Sequence, residues 1–111
     1  MASYLVQVSY TSEALSALIA KPQDRSGHVA KVIEKLGGKL IGSWLALGDY
    51  DIVMIVELPN RVSAAALAMV AAAGGSCKTV KTTPLLTIAQ GLSALRKAGT
   101  SGYQSIAAAK Q

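Results

Sequence analysis

Hydrophobic and polar residues alternate from position 3 to position 10, a period typical of a β-strand with one covered face. That face carries Tyr4, Val6, Val8 and Tyr10. The pattern then changes to helical spacing, which Thr11 or Ser12 can cap and which Pro22 ends. A second helix is predicted over residues 24–36, because apolar residues recur there at every third or fourth position.

Three more strands are predicted over residues 39–47, 51–58 and 78–88, with helices over 60–73 and 90–98. Alternation in the second strand places Leu40 and Trp44 on the same face. The third strand is almost entirely apolar, which indicates a central strand or one covered by a partner. Pro84 lacks a backbone donor, so the fourth strand should lie at a sheet edge or contain a bulge.

The resulting order β-α-β-β-α-β is the split βαβ pattern of ferredoxin-like α+β folds, with a four-stranded antiparallel sheet. We assign residues 1–98 to this domain and 99–111 to a C-terminal tail. Helices on one side leave the other side of the sheet uncovered, and its apolar residues exceed what a monomer usually exposes. We therefore expect a homodimer or higher homo-oligomer, with the alanine-rich segment 60–73 and the tail, through Tyr103 and Ile106, as further contacts.

Composition limits the alternatives. Of 111 residues, 51% are hydrophobic and 15% are charged, against about 25% charged in typical domains, so a disordered chain is excluded. A single cysteine excludes a disulfide scaffold. No apolar run reaches the ~18 residues that span a membrane, and no signal-peptide pattern is present, so a cytoplasmic location without membrane attachment is expected. The net charge of +5 comes from scattered basic residues without interleaved aromatic ones, which argues against nucleic-acid binding.

The segment from Leu47 to Val53, LGDYDIV, resembles the motif that names the GYD domain family. EKLGGK before the second strand and VKTTPLLT in the fourth extend the resemblance to about residues 3–98. Members are mostly small bacterial and archaeal proteins without established activity. The family is similar to the dimeric α/β-barrel group, whose domains pair sheet against sheet, so the resemblance implies a homo-oligomer but supplies no catalytic residues.

The motif residues Gly48, Asp49, Tyr50 and Asp51 allow two interpretations. In the first they form a turn, with Gly48 at positive φ and the Asx side chains satisfying nearby amides. In the second they form the rim of a pocket, where Tyr50 donates a hydrogen bond and Asp51 acts as an acid or base.

Other candidate residues are isolated in the sequence. His28 could act as a base oriented by Asp24, or it could be an exposed helical residue. Together with Tyr10, Trp44 and Tyr50 it forms our candidate ligand pocket, although Trp44 and Tyr10 could equally belong to the core or an interface. Cys77 is expected to be an inert thiol. One histidine and one cysteine offer no metal-ligand spacing, and no cofactor is expected.

Two functional hypotheses remain from the sequence. The first is a small homo-oligomeric domain with room for a small apolar ligand between sheet and helices. The alternative is an enzyme of the dimeric α/β-barrel type, monooxygenase- or isomerase-like, which would use His28, Asp51 and Tyr50. The scarcity of ionisable groups, with one histidine and six acidic residues, weighs against the enzyme.

Overall fold

A computed structural model describes residues 1–109 and contains four strands and five helices within that range. Their order along the chain is β1 (Ala2–Tyr10), α1 (Ser12–Ala20), α2 (Ser26–Lys35), β2 (Lys39–Leu45), β3 (Ile52–Leu58), α3 (Arg61–Ala73), β4 (Cys77–Leu85), α4 (Ile88–Gly99) and α5 (Ile106–Ala109). The predicted α+β class and the predicted order of the domain's strands and helices are confirmed. The last two positions of the predicted tail lie outside the described residues.

The four strands form one antiparallel sheet in the order β2-β3-β1-β4, an arrangement consistent with a ferredoxin-like domain. The apolar strand β3 is an inner strand, as its composition predicts. Strand β4, which contains Pro84, lies at an edge, where a missing backbone donor leaves no gap in the ladder.

Side chains and glycines fix the helix ends. The hydroxyl of Thr11 accepts a hydrogen bond from the Ala14 amide at the start of α1, over 3.1 Å. At the end of α2, Gly37 adopts a φ of 86°, and its amide donates to the Glu34 carbonyl. The Gly38 amide donates to the Ile33 carbonyl, which completes a Schellman motif and turns the chain into β2.

The core lies between one face of the sheet and helices α2 and α3. Alternate residues of β1 and β3 face Ile33 of α2 and Ala64 and Leu67 of α3. The buried strand residues are Tyr4, Val6, Val8, Met54, Val56 and Leu58. This is the face that alternation in residues 3–10 predicts, with Tyr10 only partly buried at its end.

The structure corrects the predicted bounds of two strands. β2 ends at Leu45 and β4 at Leu85, and residues 46–51 form a loop rather than a tight turn. A bulge between Leu40 and Gly42 also shifts the register of β2, because one extra residue moves the following side chains to the opposite faces. Trp44 therefore pairs with Val53 and does not share the face of Leu40, contrary to the prediction.

Helix α4 and the residues after it extend away from the sheet. Every residue of α4 except Gly91 is exposed, although a capping box between Thr87 and Gln90 fixes its start. The structure measures 63 × 31 × 21 Å and has a radius of gyration of 18.3 Å, against about 13 Å for a compact domain of similar length. Within residues 1–109, no helix is both long and apolar enough to cross a membrane.

Candidate functional site

A cleft of about 930 Å³ lies between the helix-covered face of the sheet and helices α1 to α3. Its walls are mainly apolar side chains of the strands and of α2 and α3. The principal ones are Val6, Val8, Leu40, Ile52, Met54, Val80, Val29, Val32, Leu67, Val70 and Ala71. Such a cleft offers mainly apolar walls to a small molecule.

Polar side chains line the same cleft, most of them from the end of β1, the start of β4 and the segment between α1 and α2. They are Tyr10, Gln23, Asp24, Arg25, Ser26, Ser43, Ser76 and Cys77. Pro22 lies between the two short helices α1 and α2, and the segment around it lines the cleft together with the sheet. Polar groups in an apolar cleft can orient a ligand as well as hold it.

Three of these polar groups form hydrogen bonds with one another at the start of α2. The Asp24 carboxylate accepts a hydrogen bond from the Ser26 amide over 2.8 Å, and bonds from the side chain and backbone of Ser26 lower the pKa of Asp24. The hydroxyls of Ser26 and Ser43 lie 3.2 Å apart and share a hydrogen bond between α2 and β2. Asp24 and the two serines are therefore already engaged within the protein.

Tyr10 and Cys77 face each other across the pair formed by β1 and β4. Burial, reinforced by the nearby Cys77 and Asp51, raises the pKa of the Tyr10 phenol, and Arg25 partly opposes this rise. Burial also raises the pKa of the Cys77 thiol. At neutral pH Tyr10 can therefore donate a hydrogen bond, and Cys77 remains a weakly nucleophilic thiol.

A smaller pocket of about 170 Å³ adjoins the cleft beside α1, and we call it the annex. Five residues line both spaces: Tyr10, Leu18, Gln23, Arg25 and Ser76. Ala14 and Ala17 of α1 complete the lining of the annex. The shared residues make the annex continuous with one end of the cleft.

The GYD motif residues form the loop between β2 and β3. Gly48 has a φ of 115°, which favours glycine, and Asp49 is exposed. The Asp51 amide donates to the Val8 carbonyl and its carboxylate accepts from the Tyr10 amide, each over 2.8 Å. Among the described residues, none of the four motif positions lines the cleft, and Asp51 joins the loop to β1.

The four residues of the candidate ligand pocket do not come together. Tyr10 and Trp44 border the cleft, whereas His28 is exposed on α2 and Tyr50 is half-buried in the β2–β3 loop. The three residues of the enzyme hypothesis, His28, Tyr50 and Asp51, are likewise outside the cleft lining in the described chain.

Sequence reasoning missed the residues that give the cleft its polar end, chiefly Gln23, Arg25 and Ser76. The available signal was the polar run QDRS after Pro22, which interrupts the helical pattern. Its position beside the end of β1 depends on how α1 and α2 fold back onto the sheet. Among residues 1–109, no group of three or more His, Cys, Asp or Glu residues is placed to hold a metal ion.

The sheet face turned away from the helices, here called the open face, mixes apolar and polar side chains. Its central row runs from β2 to β4 through Gly42, Ile55, Leu5 and Thr83. The next row contains Trp44, Val53, Gln7 and Lys81. Trp44 is 57% exposed, and a Cβ atom on Gly42 would lie 2.7 Å from its ring, so the indole lies against the glycine.

Comparison with known proteins gives one family match. A sequence model of the family described as the GYD domain matches residues 4–95, which is most of the chain. No protein of curated function matches the sequence significantly. The match begins at the third residue of β1. It covers the other three strands, helices α1 to α3 and the first part of α4.

Proposed function

Since the chain belongs to the GYD domain family, we propose that it is a small binding domain which self-associates through its open face and holds a small apolar ligand in the cleft. The cleft is the observation that supports ligand binding. Its volume of about 930 Å³ falls within the ~300–1,000 Å³ typical of small-molecule sites. Apolar walls with a few polar groups at one end are also the usual composition of such sites.

Binding can be tested with the neutral apolar dye Nile red and a pair of adjacent substitutions on α3. Ala71 lines the cleft, whereas Ala72 is exposed and does not line it. Phenylalanine at position 71 fills part of the space that the dye would occupy. We expect Ala71→Phe to weaken saturable dye binding about tenfold or more, and Ala72→Phe to leave it unchanged.

Thermal unfolding of both variants controls for a loss of the fold. No saturable binding to the native protein would contradict the proposal, and so would equal effects of the two substitutions in folded protein.

The open face supports the self-association half of the proposal. Leu5, Val53 and Ile55 lie side by side on inner strands, and Trp44 extends the apolar surface onto β2. A second copy on this face would remove these side chains from water and would cover the uncovered layer of the sheet.

Light scattering during gel filtration tests this contact. Ile55→Lys places a charge at the centre of the open face, and we expect it to convert the oligomer to a monomer. Ile19→Lys is the matched control, because Ile19 is 72% exposed on α1, away from this face. A native chain that is monomeric at micromolar concentration would overturn this half of the proposal.

Helix α4 and the following residues support a second contact between copies. Their exposed apolar side chains include Ile88, Leu92, Leu95, Tyr103 and Ile106. A 12-residue helix gains little stability from its own hydrogen bonds, so an apolar stripe on it normally requires a partner surface.

A further inference from the structure

The annex differs from the cleft in its charge. Arg25 is the only charged side chain among the described residues that line the annex. Asp24 lines the cleft but not the annex, and its carboxylate is bonded to the start of α2. The guanidinium of Arg25 forms no salt bridge within the described part of the chain.

The annex also contains hydrogen-bond donors without a protein partner. The Tyr10 hydroxyl and the Gln23 amide join the Arg25 guanidinium there, and the described residues provide no hydrogen bond to any of the three side chains. The phenol of Tyr10 keeps its proton at neutral pH and can therefore donate. Asp51, the nearest acidic group to Tyr10, already accepts the Tyr10 backbone amide.

We propose that the cleft binds an elongated apolar molecule that ends in a carboxylate, with the apolar part in the cleft and the carboxylate in the annex beside Arg25. This assignment rests on the proposed binding function and adds the chemical class of the ligand. Arg25 supplies the charge, and the Tyr10 hydroxyl supplies a second donor. A guanidinium matches the two oxygens of a carboxylate in geometry as well as in charge.

The sizes of the two spaces agree with this division. A volume of about 170 Å³ accommodates a carboxylate with a few waters, since each water occupies about 30 Å³ in the liquid. The larger cleft offers mostly apolar walls, which suit a hydrocarbon body.

Three probes with the same ten-carbon chain test the assignment: decanoate, decan-1-ol and decylammonium. Calorimetry measures their binding. We expect decanoate to bind about tenfold or more tightly than decan-1-ol, because a hydrogen bond to a charged group is stronger than one between neutral groups. We expect decylammonium to bind most weakly.

Arg25→Gln removes the charge but keeps a donor, and we expect it to abolish the preference for decanoate while decan-1-ol binds as before. Lys21→Gln is the matched control. It removes a charge of the same sign four positions before Arg25, and Lys21 lines neither the cleft nor the annex. Arg25→Lys should retain part of the preference. All variants are compared after thermal unfolding shows that they are folded.

The outcomes separate this assignment from the proposed function. Equal binding of decanoate and decan-1-ol would overturn the carboxylate assignment and leave the apolar cleft in place. A preference for decanoate that persists in Arg25→Gln, or that Lys21→Gln also abolishes, would overturn the role of Arg25. Absence of binding by all three probes would overturn both the assignment and the binding function.

Discussion

The carboxylate of Asp51 accepts a hydrogen bond from the backbone amide of Tyr10 over 2.8 Å, although the two residues are 41 positions apart. The ladder between β1 and β3 ends at the pair Val8 and Ile52, two residues before Tyr10. Beyond the end of a ladder a backbone amide has no regular partner, and Asp51 supplies the missing acceptor. The last residue of the GYD motif thus has a structural role at the end of β1.

Substitution of Asp51 tests that role. We expect Asp51→Ala to lower the free energy of unfolding by about 1–3 kcal/mol, because it leaves a partly buried amide without a partner. Asp51→Asn should cost less, since an amide oxygen can still accept the bond. Urea denaturation measures both losses.

Asp49→Ala is the control in the same loop, because Asp49 is exposed. Its effect should stay within about 0.5 kcal/mol. Equal losses for Asp49→Ala and Asp51→Ala would refute the structural role of the Asp51 bond.

Periodicity predicts most of this fold because the sheet and helices bury regular faces. Val6 and Val8 on β1, and Val29 and Ile33 on α2, follow the periods that their neighbours require. The predicted face of Trp44 was wrong because a bulge after Leu40 adds one residue to β2. No alternation pattern reveals such an insertion.

The candidate site is harder to predict than the fold. Tyr10 borders the cleft because the sheet places the end of β1 there, which the strand pattern alone indicates. Arg25 lies beside Tyr10 only because the chain between α1 and α2 passes the end of β1. Spacing in the sequence carries no information on that path, because it is set by how two short helices pack on the sheet.

Gly38 has a close approach that no other residue type allows. A Cβ atom there would collide with the carbonyl oxygen of Glu57 and lie 2.6 Å from the Leu58 side chain. Because the first of these atoms belongs to the backbone of β3, it cannot swing away. We expect Gly38→Ala to lower the free energy of unfolding by about 3 kcal/mol or more, measured by urea denaturation.

A second glycine provides the matched comparison. Gly27 is the second residue of α2, and a Cβ atom there meets nothing within 4 Å. Gly27→Ala should therefore stabilise the protein through helix propensity, by no more than the ~1 kcal/mol that applies in the middle of a helix. A Gly38→Ala variant as stable as the native chain would show that β2 and β3 do not approach as closely as described.

Burial of the Cys77 thiol makes the stability of the protein depend on pH. Its pKa in the folded protein is raised above the ordinary 9.0 because burial disfavours the thiolate. The resulting stabilisation is fully present below about pH 9 and is lost as pH rises through the folded pKa. We therefore expect stability to fall more steeply above pH 9 in the native chain than in Cys77→Ala, as measured by urea denaturation across that range.

The same property limits the reactivity of the thiol. At pH 8 the folded protein should react with an aromatic disulfide reagent more slowly than the urea-unfolded chain does, because fewer molecules carry a thiolate. Bound decanoate should slow the reaction further, since Cys77 lines the cleft. Reaction as fast as in the unfolded chain would contradict the described burial of Cys77.

Helix α4 allows the contact between copies to be separated from the stability of the domain. Leu92 and Leu95 are exposed and lie one turn apart on its apolar side. Because neither is buried in the domain, Leu92→Lys with Leu95→Lys should change the free energy of unfolding of the monomeric Ile55→Lys background by less than about 1 kcal/mol. In the native background the same pair should weaken self-association about tenfold or more, as measured by sedimentation equilibrium.

Ser93→Lys adds a charge to the same helix on its other side and should leave association unchanged. If the leucine pair destabilised the monomer strongly, α4 would have to pack on its own domain rather than project from it. If the double substitution of Leu92 and Leu95 left both stability and association unchanged, the apolar stripe of α4 would not contact a second copy. Only a loss of association without a loss of monomer stability agrees with a helix that serves another subunit.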